Sequence, residues 1–233
     1  ATLGAQFAGW QIKTHNYFAM GSGPARALAL KPKELYQKIG YKDTSDNAAI
    51  ALEASKYPTK EALEYIAGEW KVPLANLYVL IAPSSSMTGS VQISGRIVEA
   101  GIHRLTEIGF DPKKILYGCG YAPIAPIHPD TGQAMGRTND AISYGGAVFY
   151  SVDFEDDAKL KELVHGAPSS TSKDYGRPFF ETFKAADFDF YKIDPSIFAP
   201  AVFAVNNVRT GVTHTSGRIN AQLLKQTMEL LTT

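Results

Sequence analysis

Short apolar runs bounded by turn residues alternate, along most of the chain, with segments whose apolar residues recur at helical spacing. That alternation restricts the chain to layered α/β architectures, because each sheet face and each helix stripe must be buried against an element of the other kind. Residues 48–54, 77–82, 114–119, 147–154 and 201–207 read as buried strands. Residues 2–12 and 17–20 suggest an opening hairpin, 188–193 a further strand, and 212–215 a strand after the turn at Thr210 and Gly211. Helices are expected from Pro32 through Ile39, over 58–70, from Asp157 to Leu163, and over 219–231, where Leu223, Leu224, Met228 and Leu231 share the apolar side. The fold class is α/β, divided into domains at 1–153 and 154–233, and HGAPSSTSKDYGRP is the best linker or long-loop candidate.

Composition enters through what it excludes. The 23 basic and 23 acidic side chains cancel, so no net field recruits a nucleic-acid backbone or an anionic membrane. No apolar run approaches the roughly 18–20 residues that span a bilayer. A single cysteine, Cys119, cannot form an internal disulfide, no Cys/His spacing resembles a metal site, and the reducing cytoplasm fits. Cys119 itself is expected to be an inert buried thiol, and His128, between prolines, to cap or orient a loop.

Residues 84–109 form the longest helical candidate. At about 100° per residue, Val91, Val98, Ile102, Leu105 and Ile108 fall on one side, and Gly89, Gln92, Arg96, Glu99, His103 and Glu107 on the other. Arg96, Glu99 and His103 therefore project together, either as a solvated face with an ion pair or as a working face on which small neighbours admit a flat ligand. The turn containing Ser22, Gly23 and Arg26 combines backbone N–H groups, a helix start and a fixed charge; it suits a phosphate or carboxylate, or it is an ordinary tight turn. The GRTNDA segment, read as a polar loop, offers Arg137, Thr138, Asn139 and Asp140 to a polar heterocycle, or closes an Asx-type turn.

The first residues, ATLGAQFAGWQI, open in strand-like pattern without a methionine, and the chain is read as one whose beginning is absent. A strand starting there needs a pairing partner from its first residues.

The segments AGWQI, YFAMGSGPARAL, KPKELYQKIGY, NLYVLIAP, GSVQISGRIVEAGIH, GFDPKKILYGCGYAPIAPIHPD, AMGRTNDAISYGG and VFAVNNVRTG resemble the methenyltetrahydromethanopterin cyclohydrolases of methanogenic archaea and some methylotrophic bacteria. The resemblance implies two α/β domains with a cleft between them, a homotrimer, no metal or redox cofactor, and a further segment before Ala1. It also implies the substrate, a pterin coenzyme whose one-carbon bridge takes up water, and a catalytic arginine and glutamate that match Arg96 and Glu99 in SGRIVE. Ser22, Gly23, Arg26, Gln92, Arg137, Thr138, Asn139 and Asp140 are then the candidate substrate contacts. Two rival readings are a non-catalytic reduced-pterin carrier and a structural subunit whose Arg96 face is merely solvated.

Overall fold

The computed structural model describes residues 2–7, 9–189 and 192–228. The chain divides into two compact α/β units, 1–89 and 90–233.

In the first unit, strands β1 (Trp10–Thr14) and β2 (Tyr17–Ser22) form the expected hairpin, with Trp10 opposite Gly21 and Thr14 opposite Tyr17. The strand β3 (Ala48–Glu53) pairs antiparallel with β2 and parallel with β4 (Leu77–Ala82), giving the sheet order β1-β2-β3-β4. Period-two alternation sends Trp10, Ile12, Ala19, Ile50 and Leu52 to one face. Helices α2 (Ala25–Ala29) and α4 (Lys60–Trp70) cover that face, with Ala25, Ala62, Ile66 and Trp70 closing the core. Thr59 caps α4 through its hydroxyl, which accepts from the Ala62 N–H at 3.2 Å. The opposite face leaves Phe18, Tyr78 and Leu80 exposed. The opening departs from the strand reading: Thr2–Ala5 is a short helix, α1, packed on α2 and on α3 (Lys33–Ile39). Its carbonyls meet side chains from those helices, Leu3 that of Arg26 and Gly4 that of Tyr36, so no unpaired strand begins there.

In the second unit, β5 (Ile115–Tyr121) runs antiparallel to β6 (Ala147–Val152), β6 parallel to β7 (Val202–Asn207), and β7 antiparallel to β8 (Thr213–Gly217). The β6–β7 pairing crosses the expected domain boundary at 153/154, which therefore lies inside one sheet. The observed division falls within α5 (Met87–Ser94). Strand pairing across 49 intervening residues leaves no local trace, whereas a Ser- and Gly-rich stretch does, and so 165–178 resembles a linker in sequence.

Helix α6 (Ile97–Glu107) packs on β5 and β6, and α8 (Asp157–His165) on β7 and β8. Val148, Tyr150, Val152, Phe203 and Val205 are buried toward them. The helices α7 (Thr131–Gly145), α9 (Phe179–Ala185) and α10 (Ala221–Thr227) form the rest of the unit, α9 and α10 both packing on α7. The other face of the sheet is open: Tyr117, Cys119, Tyr121 and Phe149 are exposed, and the expectation of a buried strand with a buried thiol is corrected accordingly. The strand expected over 188–193 falls partly outside the described residues, and Phe188, at positive φ, and Ile193 are not in strand. The end of the closing helix, with Leu231, also lies outside them. Among the described residues no helix is long and apolar enough to cross a membrane.

Candidate active site

The single helix expected over 84–109 is two helices, α5 and α6, broken at Gly95 and Arg96. Glycine weakens a helix interior, and here the chain leaves α-helical geometry before Arg96, the N-cap of α6, restarts it. The break sets the site. Glu99 lies in the first turn of α6, where the N-terminal end of the helix favours a negative charge. Its side chain is 2% exposed, against 18% for Arg96, and Arg96 Nη2 lies 3.3 Å from Glu99 Oε2. The face read as solvated is thus partly interior, and the ion pair lies in a setting where removing one partner would strand a buried charge. Arg96 Nε is also buried and has no hydrogen-bond partner among the described residues.

Tyr150 stands beside this pair, and sequence reading missed it because a buried tyrosine in a strand looks like any other core aromatic. Its hydroxyl donates to the Val98 carbonyl at 2.7 Å. Burial, and secondly the nearby Glu99, push the Tyr150 phenol well above its usual range, so it stays neutral. Gly101 makes the approach possible: a Cβ there would sit 2.2 Å from the Tyr150 hydroxyl. His103, one turn beyond Glu99, lies 4.0 Å from Glu107. Arg104 donates to the Gly166 carbonyl at 3.0 Å and fixes α6 to the segment that follows α8.

A proline-punctuated loop, residues 122–130, is held by three side chains. Ser94 donates to the Pro123 carbonyl and Ser90 to the Ala125 carbonyl, each at 2.6 Å, and Arg137 donates to the Ile127 carbonyl at 3.4 Å. The loop exposes Ile124 and Ile127. His128 orients the loop as expected, its Nδ1 accepting from the Asp130 N–H, and Asp130 in turn caps α7.

The remaining sequence candidates are distributed differently from expectation. GRTNDA is not a loop but the middle of α7. Thr138 and Asn139 hydrogen-bond back to the Met135 carbonyl, and Asp140 accepts from the Phe179 N–H at 2.9 Å. These groups serve the helix and its packing against α9, where Gly136 lies directly against Phe180. Arg26 is fully buried, donates to the Lys31 carbonyl at 2.9 Å and the Leu3 carbonyl at 3.3 Å, and lies over the rings of Phe7 and Tyr36. Through these contacts it holds parts of the first unit together. The Gly23 N–H is likewise engaged, by the Ala5 carbonyl. Ser22, Gly23 and Gln92 are partly exposed. Among the described residues no three His, Cys, Asp or Glu side chains gather closely enough to hold a metal ion.

Comparison with known proteins shows the family of the chain. The family model "Cyclohydrolase (MCH)" matches residues 1–228. A methenyltetrahydromethanopterin cyclohydrolase of Methanocaldococcus jannaschii is 52% identical over 229 residues, covering 98% of this chain and 71% of that protein. Proteins of the same name from Methanothermobacter marburgensis and Methanococcoides burtonii are 49% and 51% identical, over 99% and 96% of the chain and 72% and 70% of their own lengths. With a family model matched over nearly its whole length and relatives at about half identity, the chain belongs to the methenyltetrahydromethanopterin cyclohydrolase family.

Proposed function

We propose that the chain hydrolyses N5,N10-methenyltetrahydromethanopterin to the N5-formyl compound, with Glu99 as general base and Arg96 as its partner. The observation that carries this assignment is the buried carboxylate of Glu99, held 3.3 Å from Arg96 at a helix start. The bridging carbon of the substrate belongs to a cationic amidinium and is electrophilic without activation. Glu99 takes a proton as water forms the new C–O bond, and returns it to N10 as the C–N10 bond breaks. The carbinolamine hydroxyl loses its proton to solvent as the carbonyl forms, so one proton is released per turnover. Arg96 is the cation paired with the Glu99 carboxylate, and its Nε–H, without a hydrogen-bond partner among the described residues, is the donor available to the developing oxygen charge. A carboxylate beside a cationic substrate also supplies electrostatic complementarity. Water and side chains carry every step, and the pterin coenzyme is substrate rather than cofactor.

Gln92, one turn before Arg96, is retained as a substrate contact. Arg26, Arg137, Thr138, Asn139 and Asp140 are assigned instead to structure. A homotrimer belongs to the same proposal, supported by the exposed apolar side chains on each sheet. So does a cytoplasmic setting, which the exposed free thiol of Cys119 supports. A carrier protein needs no buried base, and the family relationship favours turnover over carriage.

Glu99→Gln tests the assignment. Loss of the methenyl absorbance should slow by about 10² or more in kcat, because the amide keeps the shape and loses the base. Turnover close to the parent's would remove Glu99 from that role.

A further inference from the structure

Within the second unit, away from Arg96 and Glu99, a cavity of about 190 Å³ opens between the 174–177 segment, α9 and residues 192–193. That volume is below the roughly 300 Å³ at which pockets for drug-sized molecules begin, so it suits a small solute and not a pterin. Its polar lining is unusual for so small a space: Arg177, Lys192, Thr182 and Asp174, closed by Ala185, Ala186 and Ile193.

Thr182 is 7% exposed, and its buried Oγ1 has no hydrogen-bond partner among the described residues. That oxygen has almost no accessible surface, so Thr182 contributes wall to the cavity rather than a donor. Arg177 forms no ion pair among the described residues. Lys192 meets Asp187 at 2.8 Å, but both are more than half exposed, and so solvent-screened a pair holds Lys192 weakly. The walls are fixed. Asp194 accepts from Ser172 Oγ and from the N–H groups of Lys173 and Ser196, while its own N–H donates to Asp174 Oδ2 at 2.9 Å. Partial burial alone would raise the Asp194 carboxyl, yet hydrogen bonds led by those from Ser196 bring it down to about 2.

Two cations on the lining call for an oxyanion. Asp174 adds a condition, because an ionised carboxylate only accepts hydrogen bonds and repels an anion that has no proton to give. Monohydrogen phosphate meets both demands: its P–O⁻ oxygens accept from Arg177 and Lys192, and its P–OH donates to Asp174. Sulfate has the same shape without the proton, and a phosphodiester has no P–OH at all. We propose that this cavity is a binding site for inorganic phosphate, selected over sulfate by Asp174.

Thermal unfolding of the whole chain, titrated with millimolar potassium phosphate or potassium sulfate at matched ionic strength, tests it. Phosphate should raise the midpoint saturably and sulfate should not; sulfate, similarly excluded from protein surfaces, also controls for a general salting effect. Arg177→Ala, at an exposed position where the fold does not depend on the side chain, should weaken phosphate tenfold or more. Asp174→Asn retains an acceptor for the Asp194 N–H and should let sulfate bind about as well as phosphate. Equal responses to the two anions in the parent chain would overturn the proposal, as would an unchanged phosphate response in Arg177→Ala or retained discrimination in Asp174→Asn.

Discussion

Asp140 is 2% exposed, and burial raises its carboxyl to about 7, against the lowering effect of the Phe179 N–H and with a further rise from Glu181. The unfolded chain releases that proton near 3.8. Between these values the native state binds the proton more tightly, so stability falls as pH rises through the window and the loss is complete above about 7. Asp140→Asn keeps an oxygen for Phe179 and removes the charge. The mutant should gain on the parent by about 2–3 kcal/mol more at pH 8 than at pH 5, read from chemical denaturation at both. A gap that stays constant between the two would mean that the ionised carboxylate is accommodated. None of this was legible in sequence, where Asp140 sits in a run that resembles a turn. Arg96 and Glu99 were legible, because a three-residue spacing on a helix fixes their adjacency wherever the helix begins. Their burial was not, since it depends on Tyr150 and Gly101, brought together by packing of α6 on β6.

At the scale of elements, Arg26 joins α1 to the loop after α2 through two backbone carbonyls. Arg26→Met fills similar space and leaves both carbonyls without that donor. Stability should fall by about 2–4 kcal/mol while KM for the coenzyme moves less than twofold. A large KM change at unaltered stability would return Arg26 to the binding site. The strands β3 and β4 were readable as short apolar runs bounded by turn residues, and α4 because burial on one face imposes a helical period on the sequence. The α5–α6 break and α7 were not. One turns on a single glycine within a periodic stretch. The other has Thr, Asn and glycine where strong helix formers would be expected, and it is helical because Ala134, Ala141, Ile142 and Tyr144 are buried against its neighbours.

At the scale of the whole molecule, both sheets have one face under helices and one open. In the second, Tyr117 is 77% exposed beside Cys119. If the proposed trimer covers this face, the thiol reports assembly directly. Maleimide should modify one cysteine per chain rapidly when the protein is diluted to monomers and slowly in the trimer, with light scattering on the same samples. Equal rates in both would place this face outside the assembly. The pinned loop after β5 carries a different implication. Three of its carbonyls are fixed at Pro123, Ala125 and Ile127 by donors from α5 and α7. An inserted or deleted residue between them would unhook at least one donor, so the loop is locked in length. Diversification at this rim has to proceed by exchanging the exposed side chains of Ile124 and Ile127 on an unchanging backbone.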